Sequence, residues 1–237
     1  MLGGRRMTRV AIMQPTYLPW IGYFGMIDLV DTFIIFDSVQ FAKRGWQQRN
    51  QIKTANGPIW LTVPVLSKGK RGQLINDVEI DTTGNFQTAH IASIKNNYKK
   101  SPYFSEYSPE LFSLLEKGHM HLSDLTVELV IWFCKVLGIS TQIKYSSKME
   151  NIGTKADLLA MLCGQVNATE YVSAQGSREY LEQSDAFEKS GLHVKYHEFD
   201  QTVYRQLFGD FTPNMSIVDL LFNVGPESLS VIRQSCK

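Results

Sequence analysis

The sequence lacks a cysteine framework, a long hydrophobic run and an excess of charge of either sign. Its three cysteines are far apart and include no CxxC pair, which excludes a disulfide scaffold and is typical of the reducing cytoplasm. The longest apolar-rich stretch, residues 122–139, contains three charged residues and is too short and too charged to cross a membrane. Lys and Arg number 24 against 23 Asp and Glu, which argues against general nucleic-acid binding. We therefore expect a cytoplasmic protein without membrane insertion.

Signatures of several enzyme classes are absent as well. There is no GxSxG elbow and no cysteine in a nucleophile context, so hydrolase chemistry is not indicated. The five histidines show no metal-ligand spacing, since His119 and His121 precede a predicted helix, and no metal site is expected. Residues 1–8 contain two arginines but no apolar segment of signal-peptide length, so we expect a flexible tail, with Met1 or Met7 as the start.

Strand and helix patterns alternate along the first part of the chain. Apolar runs at residues 9–14 and 32–37 flank a helical pattern that begins near Pro19, which predicts a βαβ unit. Alternating runs at residues 59–65 and 76–81 are separated by a segment that contains two glycines. This arrangement predicts an antiparallel hairpin.

The patterns after residue 85 complete the prediction of the fold. Residues 85–140 show three helical segments, which we expect to form a helical insert, and the rest of the chain returns to alternating strands and helices. Such alternation is typical of a parallel sheet that is covered on both faces. We therefore predict a single α/β domain over residues 1–237, with a Rossmann-like, mostly parallel, three-layer architecture.

A first cluster of polar and aromatic residues follows the first predicted strand. Gln14, Tyr17 and Trp20 lie in a turn that contains two prolines, at the end of the strand where open α/β sheets bind ligands. The helix that begins there offers free N–H groups suited to an anion. We expect these three side chains to bind substrate, whereas Phe24 and Ile27 fit the core side of the helix.

A second cluster follows the second predicted strand. Asp37 ends that strand and is our candidate for a general base, while Lys43 and Arg49 are expected to bind phosphate and Trp46 to stack on a base or sugar ring. The other substrate-binding candidates of this segment are Gln40 and Asn50. The alternative is a solvated loop in which Asp37 pairs with one of the cations.

The C-terminal half offers weaker candidates. Ser173 and Gln175 follow a predicted strand and open a helix, so their loop can face a ligand at the same edge of the sheet. Tyr204 and Gln206 lie in a loop of mixed polarity that we expect to close the site. Residues 216–219 read Ser-x-x-Asp, a pattern typical of a helix-capping box with Asp in place of Glu.

Several long motifs resemble the WbqC-like family of bacterial proteins. They are the runs QPTYLPWIGYF, FDSVQFAKRGWQQRNQIK and WLTVPV, together with Tyr204-x-Gln206 and SIVDLLFNVG at residues 216–225. The resemblance covers the chain from about Met7 onward and implies a cytoplasmic protein of surface-polysaccharide (O-antigen) and amino-sugar pathways. It further implies acyl or aminoacyl transfer to the amino group of a nucleotide-linked amino sugar. The partner would be a nucleotide sugar or glycan, and the donor an activated acyl carrier or an aminoacyl-tRNA.

The order of elements at the start of the chain also resembles the HIGH-type nucleotidylyltransferase superfamily. The resemblance consists of a strand, a proline-containing turn and a second strand that ends in Asp37. The chain departs from that pattern because it has no histidine before residue 90 and no ISSTxxR-like signature. Nucleotidyl transfer from ATP with Mg²⁺, in which Asp37 is a metal ligand or base, is therefore one alternative. A non-catalytic protein that binds sugar nucleotides is the other.

Overall fold

The computed structural model describes residues 7–237. Residues 1–6, which form most of the predicted flexible tail, lie outside the described residues. At the end of that predicted tail, the backbone N–H of Thr8 donates to Oγ1 of Thr169 at 2.9 Å, and the Thr8 carbonyl accepts from the Thr169 N–H at 2.9 Å. Thr8 is therefore held by backbone and side-chain hydrogen bonds.

Seven strands and nine α-helices make up the described part of the chain. The strands are β1 (Arg9–Met13), β2 (Thr32–Ile35), β3 (Arg49–Thr54), β4 (Gly57–Thr62), β5 (Gln142–Tyr145), β6 (Glu170–Ala174) and β7 (His193–His197). The helices are α1 (Ile21–Asp28), α2 (Phe86–Tyr98), α3 (Phe104–Glu116), α4 (Leu122–Leu137), α5 (Lys155–Gln165), α6 (Arg178–Glu182), α7 (Ala186–Lys189), α8 (Ile217–Val224) and α9 (Ser228–Ser235). None of these helices is long and apolar enough to span a bilayer.

Five parallel strands form the central sheet, in the order β5-β2-β1-β6-β7. The order reverses at β1, where Val10 pairs with Thr32 of β2 on one side and with Tyr171 of β6 on the other. The predicted Rossmann-like architecture is confirmed. The reversal also creates a crevice at the carboxyl ends of β1 and β6, the place where open sheets of this type bind ligands.

Helices cover both faces of the sheet because each central strand is apolar on both sides. Ala11 and Phe33 point into one apolar cluster, which includes α1, α8 and α9, whereas Val10 and Ile34 point into a second cluster with α5, α6 and α7. Successive side chains of a strand alternate between faces, so one run of apolar residues serves both layers.

The predicted helical insert consists of α2, α3 and α4 and belongs to the first of these clusters. Leu111 and Leu129 are buried in it, and the ring of Phe133 meets that of Phe24 edge-on at 5.6 Å. The insert is thus joined to the helix that follows β1 by continuous apolar packing.

The hairpin of the protein lies elsewhere than the sequence pattern predicts. β3 and β4 pair antiparallel, so residues 49–54 form a strand that we did not predict, and they pair with residues 57–62. Residues 75–77 form a short 3-10 helix, and residues 65 and 80 share an isolated bridge. The reason is that one face of β3 carries Arg49, Gln51 and Lys53, which removes the apolar alternation by which strands are recognised.

Candidate functional site

A cavity of about 900 Å³, here called the main cavity, opens at the carboxyl ends of β1 and β6. Met13 and Gln14 line it at the end of β1, and Ser173 and Ala174 line it at the end of β6. The sequence predicts a site at the ends of β1 and β2, but from the second of these only Phe36, the residue after β2, is among the described residues of the lining. The main cavity therefore occupies the crevice that the reversal in strand order creates.

The lining of the main cavity is aromatic and uncharged. Its aromatic side chains are Trp20, Tyr23, Phe36, Trp46, Tyr171 and Tyr180, and its polar ones are Gln14, Thr16, Gln51, Ser173, Ser177, Thr212 and Asn214. Within residues 7–237, no Asp, Glu, His, Lys, Arg or Cys belongs to this lining. Aromatic faces and neutral amide or hydroxyl groups can pack on and hydrogen-bond a polyhydroxylated ring without the desolvation cost of a buried charge.

Gln14 is held in the cavity wall by a buried glutamine that we did not predict. Nε2 of Gln47 donates to Oε1 of Gln14 at 2.6 Å, so the Gln14 amide has a fixed partner and its own NH₂ group is left to face a ligand. A Cβ at Gly45 would lie 2.2 Å from Oε1 of Gln47 and 2.8 Å from the carbonyl oxygen of Ala42, so the glycine leaves room for both.

Trp20 lines the main cavity from the start of α1. Its ring meets Phe199 edge-on, with ring centres 4.9 Å apart. A Cβ at Gly22 would lie 2.2 Å from the Trp20 ring, so the absence of a side chain at Gly22 makes room for the indole. The position of Trp20 therefore depends on its neighbour two residues later.

Tyr17 and Asn50 support the turn from beneath and do not line the main cavity. Tyr17 is fully buried, and its hydroxyl hydrogen-bonds Nδ1 of His90 at 2.8 Å. Burial raises the pKa of the Tyr17 phenol and lowers the pKa of His90 to about 4. Nδ2 of Asn50 donates at 2.8 Å to the carbonyl of Leu18, whose φ of +43° is left-handed. Both side chains thus stabilise the backbone conformation of the turn.

Asp37 is placed outside the main cavity, with its carboxylate already occupied. Oδ1 accepts from Oγ of Ser146 at 2.9 Å and from the N–H of Ser147 at 2.8 Å, and Oδ2 accepts from Oγ of Ser147 at 2.6 Å. Asp37 is 5% exposed. Because β5 is the neighbour of β2, the carboxylate joins the ends of these two strands, and the geometry gives it no contact with a ligand of the cavity.

Neither of the predicted phosphate-binding residues lines the main cavity. Lys43 is exposed and borders a separate small cavity of about 290 Å³. The guanidinium of Arg49 lies 4.3 Å from the ring centre of Trp60. Gln40 and Gln175 are exposed and belong to neither cavity. The described residues also contain no group of three or more His, Cys, Asp or Glu side chains that could hold a metal ion.

Tyr204 and Gln206 belong to a buried hydrogen-bond network around Asp219. Oδ2 of Asp219 accepts from the Tyr204 hydroxyl at 2.8 Å and from Nε2 of Gln206 at 2.7 Å, and Oδ1 accepts from the Tyr98 hydroxyl at 2.9 Å. Burial raises the pKa of Asp219, and it raises the pKa of both tyrosines well above the usual value. The predicted capping box is half realised, because Oγ of Ser216 accepts from the N–H of Val218 while the Asp219 carboxylate turns inward.

This network fixes one wall of the main cavity. Oε1 of Gln206 accepts from the N–H of Thr212 at 2.8 Å, and its Nε2 donates to the carbonyl of the same residue at 3.0 Å. Lys53, which is 3% exposed, donates from Nζ to Oε1 of Gln206 at 3.0 Å and to the carbonyl of Asp210. Residues 212–215 line the cavity, so Gln206 acts on the site through the backbone that it holds. A buried lysine on a polar strand carries no sequence signal that would have predicted Lys53.

Comparison with known proteins identifies the family of the chain. The model of the WbqC-like protein family matches residues 14–231. The uncharacterized protein Rv1507c of Mycobacterium tuberculosis is 42% identical over 229 residues, which are 96% of this chain and 98% of that protein. No solved structure matched the chain. Because the family model matches most of its length, the chain belongs to the WbqC-like protein family.

Proposed function

We propose that the main cavity binds the sugar of a nucleotide-linked amino sugar and that the protein transfers an acyl or aminoacyl group to its amino group. The observation that carries this proposal is the lining of the cavity, which is aromatic and uncharged and lies where the strand order reverses. A volume of about 900 Å³ leaves room for a sugar ring together with the end of an acyl donor.

Neutral side chains on several sides of the cavity support the choice of a sugar. The amide of Gln14, fixed by Gln47, can donate to a ring hydroxyl, and Gln51 and Asn214 offer further amide groups. The indole of Trp20 and the phenol ring of Tyr180 offer flat apolar surfaces for the C–H faces of the ring.

An uncharged cavity also favours the reactive form of the amine. Desolvation disfavours an ammonium ion, so burial lowers the pKa of the amino group and increases the share of the neutral nucleophile. The amine nitrogen attacks the activated carbonyl carbon, a C–N bond forms, and the C–S or C–O bond to the carrier breaks. The amine proton leaves with the carrier group. The protein contributes mainly by holding amine and carbonyl together, and Asp37 has no part in this scheme.

The setting that we propose for the reaction is the one that the family resemblance implies. We place it in bacterial surface-polysaccharide biosynthesis and in the cytoplasm, with an acyl carrier or an aminoacyl-tRNA as the donor. Nucleotidyl transfer from ATP is a less suitable candidate, because the described lining of the main cavity has no carboxylate to hold the Mg²⁺ that accompanies a triphosphate.

The test is a mass-spectrometric screen of the purified protein. UDP- and dTDP-linked amino sugars are incubated with acyl-CoA, an acyl carrier protein or aminoacyl-tRNA, and the matched sugar nucleotides with a hydroxyl in place of the amine are the controls. We expect a donor-dependent mass increase on the amino sugars alone. Release of pyrophosphate from ATP would replace this proposal with nucleotidyl transfer, and saturable binding without any product would replace it with a binding protein.

A further inference from the structure

One face of the β3–β4 hairpin lines part of the main cavity and extends beyond it. Gln51 of β3 and Pro58 of β4 line the cavity, and Gln51 lies directly opposite Trp60 in the ladder. Arg49 is two residues before Gln51, and Trp60 is two residues after Pro58. Because side chains alternate along a strand, these four residues share one face of the hairpin.

Beside the cavity this face carries Arg49 and the exposed Trp60, and the exposed Trp46, which precedes β3, packs against Trp60. The guanidinium of Arg49 lies 4.3 Å from the ring centre of Trp60, and the rings of Trp60 and Trp46 are 5.4 Å apart. Trp46 lines the cavity and is 52% exposed, and Trp60 is 42% exposed. We call Arg49, Trp46 and Trp60 the hairpin platform. Large aromatic side chains left exposed beside a cavity mark a binding surface.

Arg49 differs from the other arginine beside the cavity in having its charge available. Among residues 7–237 it forms no ion pair, whereas Arg178, which follows the lining residue Ser177, is paired with Glu182 at 2.8 Å. Stacking on an indole leaves the N–H groups at the edge of a guanidinium free, and it reduces the conformational entropy that binding costs. A guanidinium held in this way suits the bidentate geometry of a phosphate.

We propose that the hairpin platform is the subsite for the nucleoside diphosphate of the substrate. Arg49 binds the diphosphate, Trp46 stacks on a ring of the nucleotide, and Trp60 is a positioning residue that orients Arg49. This inference rests on the proposed function, since it takes the sugar to lie in the adjoining main cavity. In this arrangement the sugar lies in the uncharged main cavity and the diphosphate lies on the hairpin platform beside it.

The test is calorimetric titration with UDP and with uridine, which lacks the phosphates. We expect the wild type to bind UDP more tightly than uridine. Arg49→Gln should weaken UDP binding about tenfold and leave uridine binding unchanged, since it removes one charge-assisted bidentate contact. Trp60→Ala should weaken UDP binding, and Trp60→Phe should retain most of it, because a second aromatic ring can still orient Arg49. Met120→Ala, which changes a side chain that is 65% exposed on another surface, is the control.

The outcomes separate this inference from the proposed function. Equal UDP binding by the wild type, Arg49→Gln and Trp60→Ala would overturn the subsite, as would a wild type that binds no UDP. If these variants acylate a UDP-linked amino sugar with unchanged kcat and KM, the subsite is wrong and the transferase proposal stands. If UDP binds with the expected pattern of losses but no amine is ever acylated, the subsite stands and the transferase proposal is wrong.

Discussion

Nε2 of Gln206 donates a 2.7 Å hydrogen bond to the buried carboxylate of Asp219, and the same amide holds the backbone of Thr212 in the wall of the main cavity. A carboxylate in the core is thereby connected to the shape of the site through one side chain. Tyr204 donates to the same oxygen, so Oδ2 of Asp219 has two donors. We therefore expect changes in this network to affect both the stability of the protein and the binding of a ligand in the main cavity.

Asp219→Asn should destabilise the protein. An amide group offers one oxygen acceptor instead of two, so at least one of the donors Tyr98, Tyr204 and Gln206 loses its partner inside the core. We expect a loss of about 2 kcal/mol in the free energy of unfolding, measured by urea denaturation. Asp210→Asn is the matched control, because Asp210 is exposed and contributes its backbone carbonyl to the network. Equal stability of the two variants would contradict this role of Asp219.

His90 should make the stability depend on pH between about 6.5 and 4. Its pKa falls from 6.5 to about 4 on folding because the ring is buried, so in this range the unfolded chain binds a proton that the folded one does not. Above pH 6.5 both states carry a neutral His90 and this effect is absent, and as the pH falls from 6.5 to 4 it lowers the free energy of unfolding by roughly 3 kcal/mol. His90→Gln should flatten this part of the curve, measured by denaturation at several pH values. The difference in stability between the wild type and His90→Gln separates the effect of His90 from that of Asp219. The raised pKa of Asp219 changes the free energy of unfolding with pH in the opposite direction.

Asp37→Asn should reduce stability and leave turnover per folded molecule nearly unchanged. The carboxylate accepts three hydrogen bonds from Ser146 and Ser147, and an amide cannot replace them all. We expect a loss of about 1–3 kcal/mol in the free energy of unfolding. A variant with wild-type stability and no turnover would instead identify Asp37 as the general base that the sequence pattern indicates.

Gly22→Ala should disturb Trp20 and weaken ligand binding in the main cavity. The new Cβ would lie 2.2 Å from the indole, so the ring must rotate out of its position against Phe199. The tryptophan fluorescence spectrum and the affinity for an amino-sugar nucleotide report the change. Gly164→Ala is the control, since that helical glycine has open space around it and the substitution should stabilise by up to about 1 kcal/mol. Unchanged affinity and fluorescence in Gly22→Ala would contradict a role for Trp20 in the site.

Local patterns are sufficient to predict the βαβ unit and the three helices between residues 85 and 140. The apolar periodicity of α4 and the apolar runs of β1 and β2 depend only on residues that are close in sequence. The structure contains this helix and both strands. The position of the crevice is not local. It depends on the chain crossing from β5 on one side of β1 to β6 on the other, and no short segment encodes this crossing.

The polar parts of the site were the hardest to predict, for a physical reason. Tyr17, Asn50 and Asp37 have the residue types of a ligand site, yet each satisfies its hydrogen bonds within the protein. Trp60, by contrast, lies in a short strand whose pattern is typical of core, but the hairpin leaves it exposed. Residue type predicts which groups can bind, and only packing decides which of them face a cavity.

Amide formation in a protein whose main cavity is filled tests most directly whether this cavity is the site of the reaction. Ser177→Trp places an indole in the lining, and Gln183→Trp places one on the exposed surface after α6 as a control. The product of an amino-sugar nucleotide and an acyl donor is followed by mass spectrometry, and circular dichroism verifies that both variants are folded. We expect product from the wild type and from Gln183→Trp and none from Ser177→Trp. Product from Ser177→Trp at the wild-type rate would rule out the main cavity as the place where the amide forms.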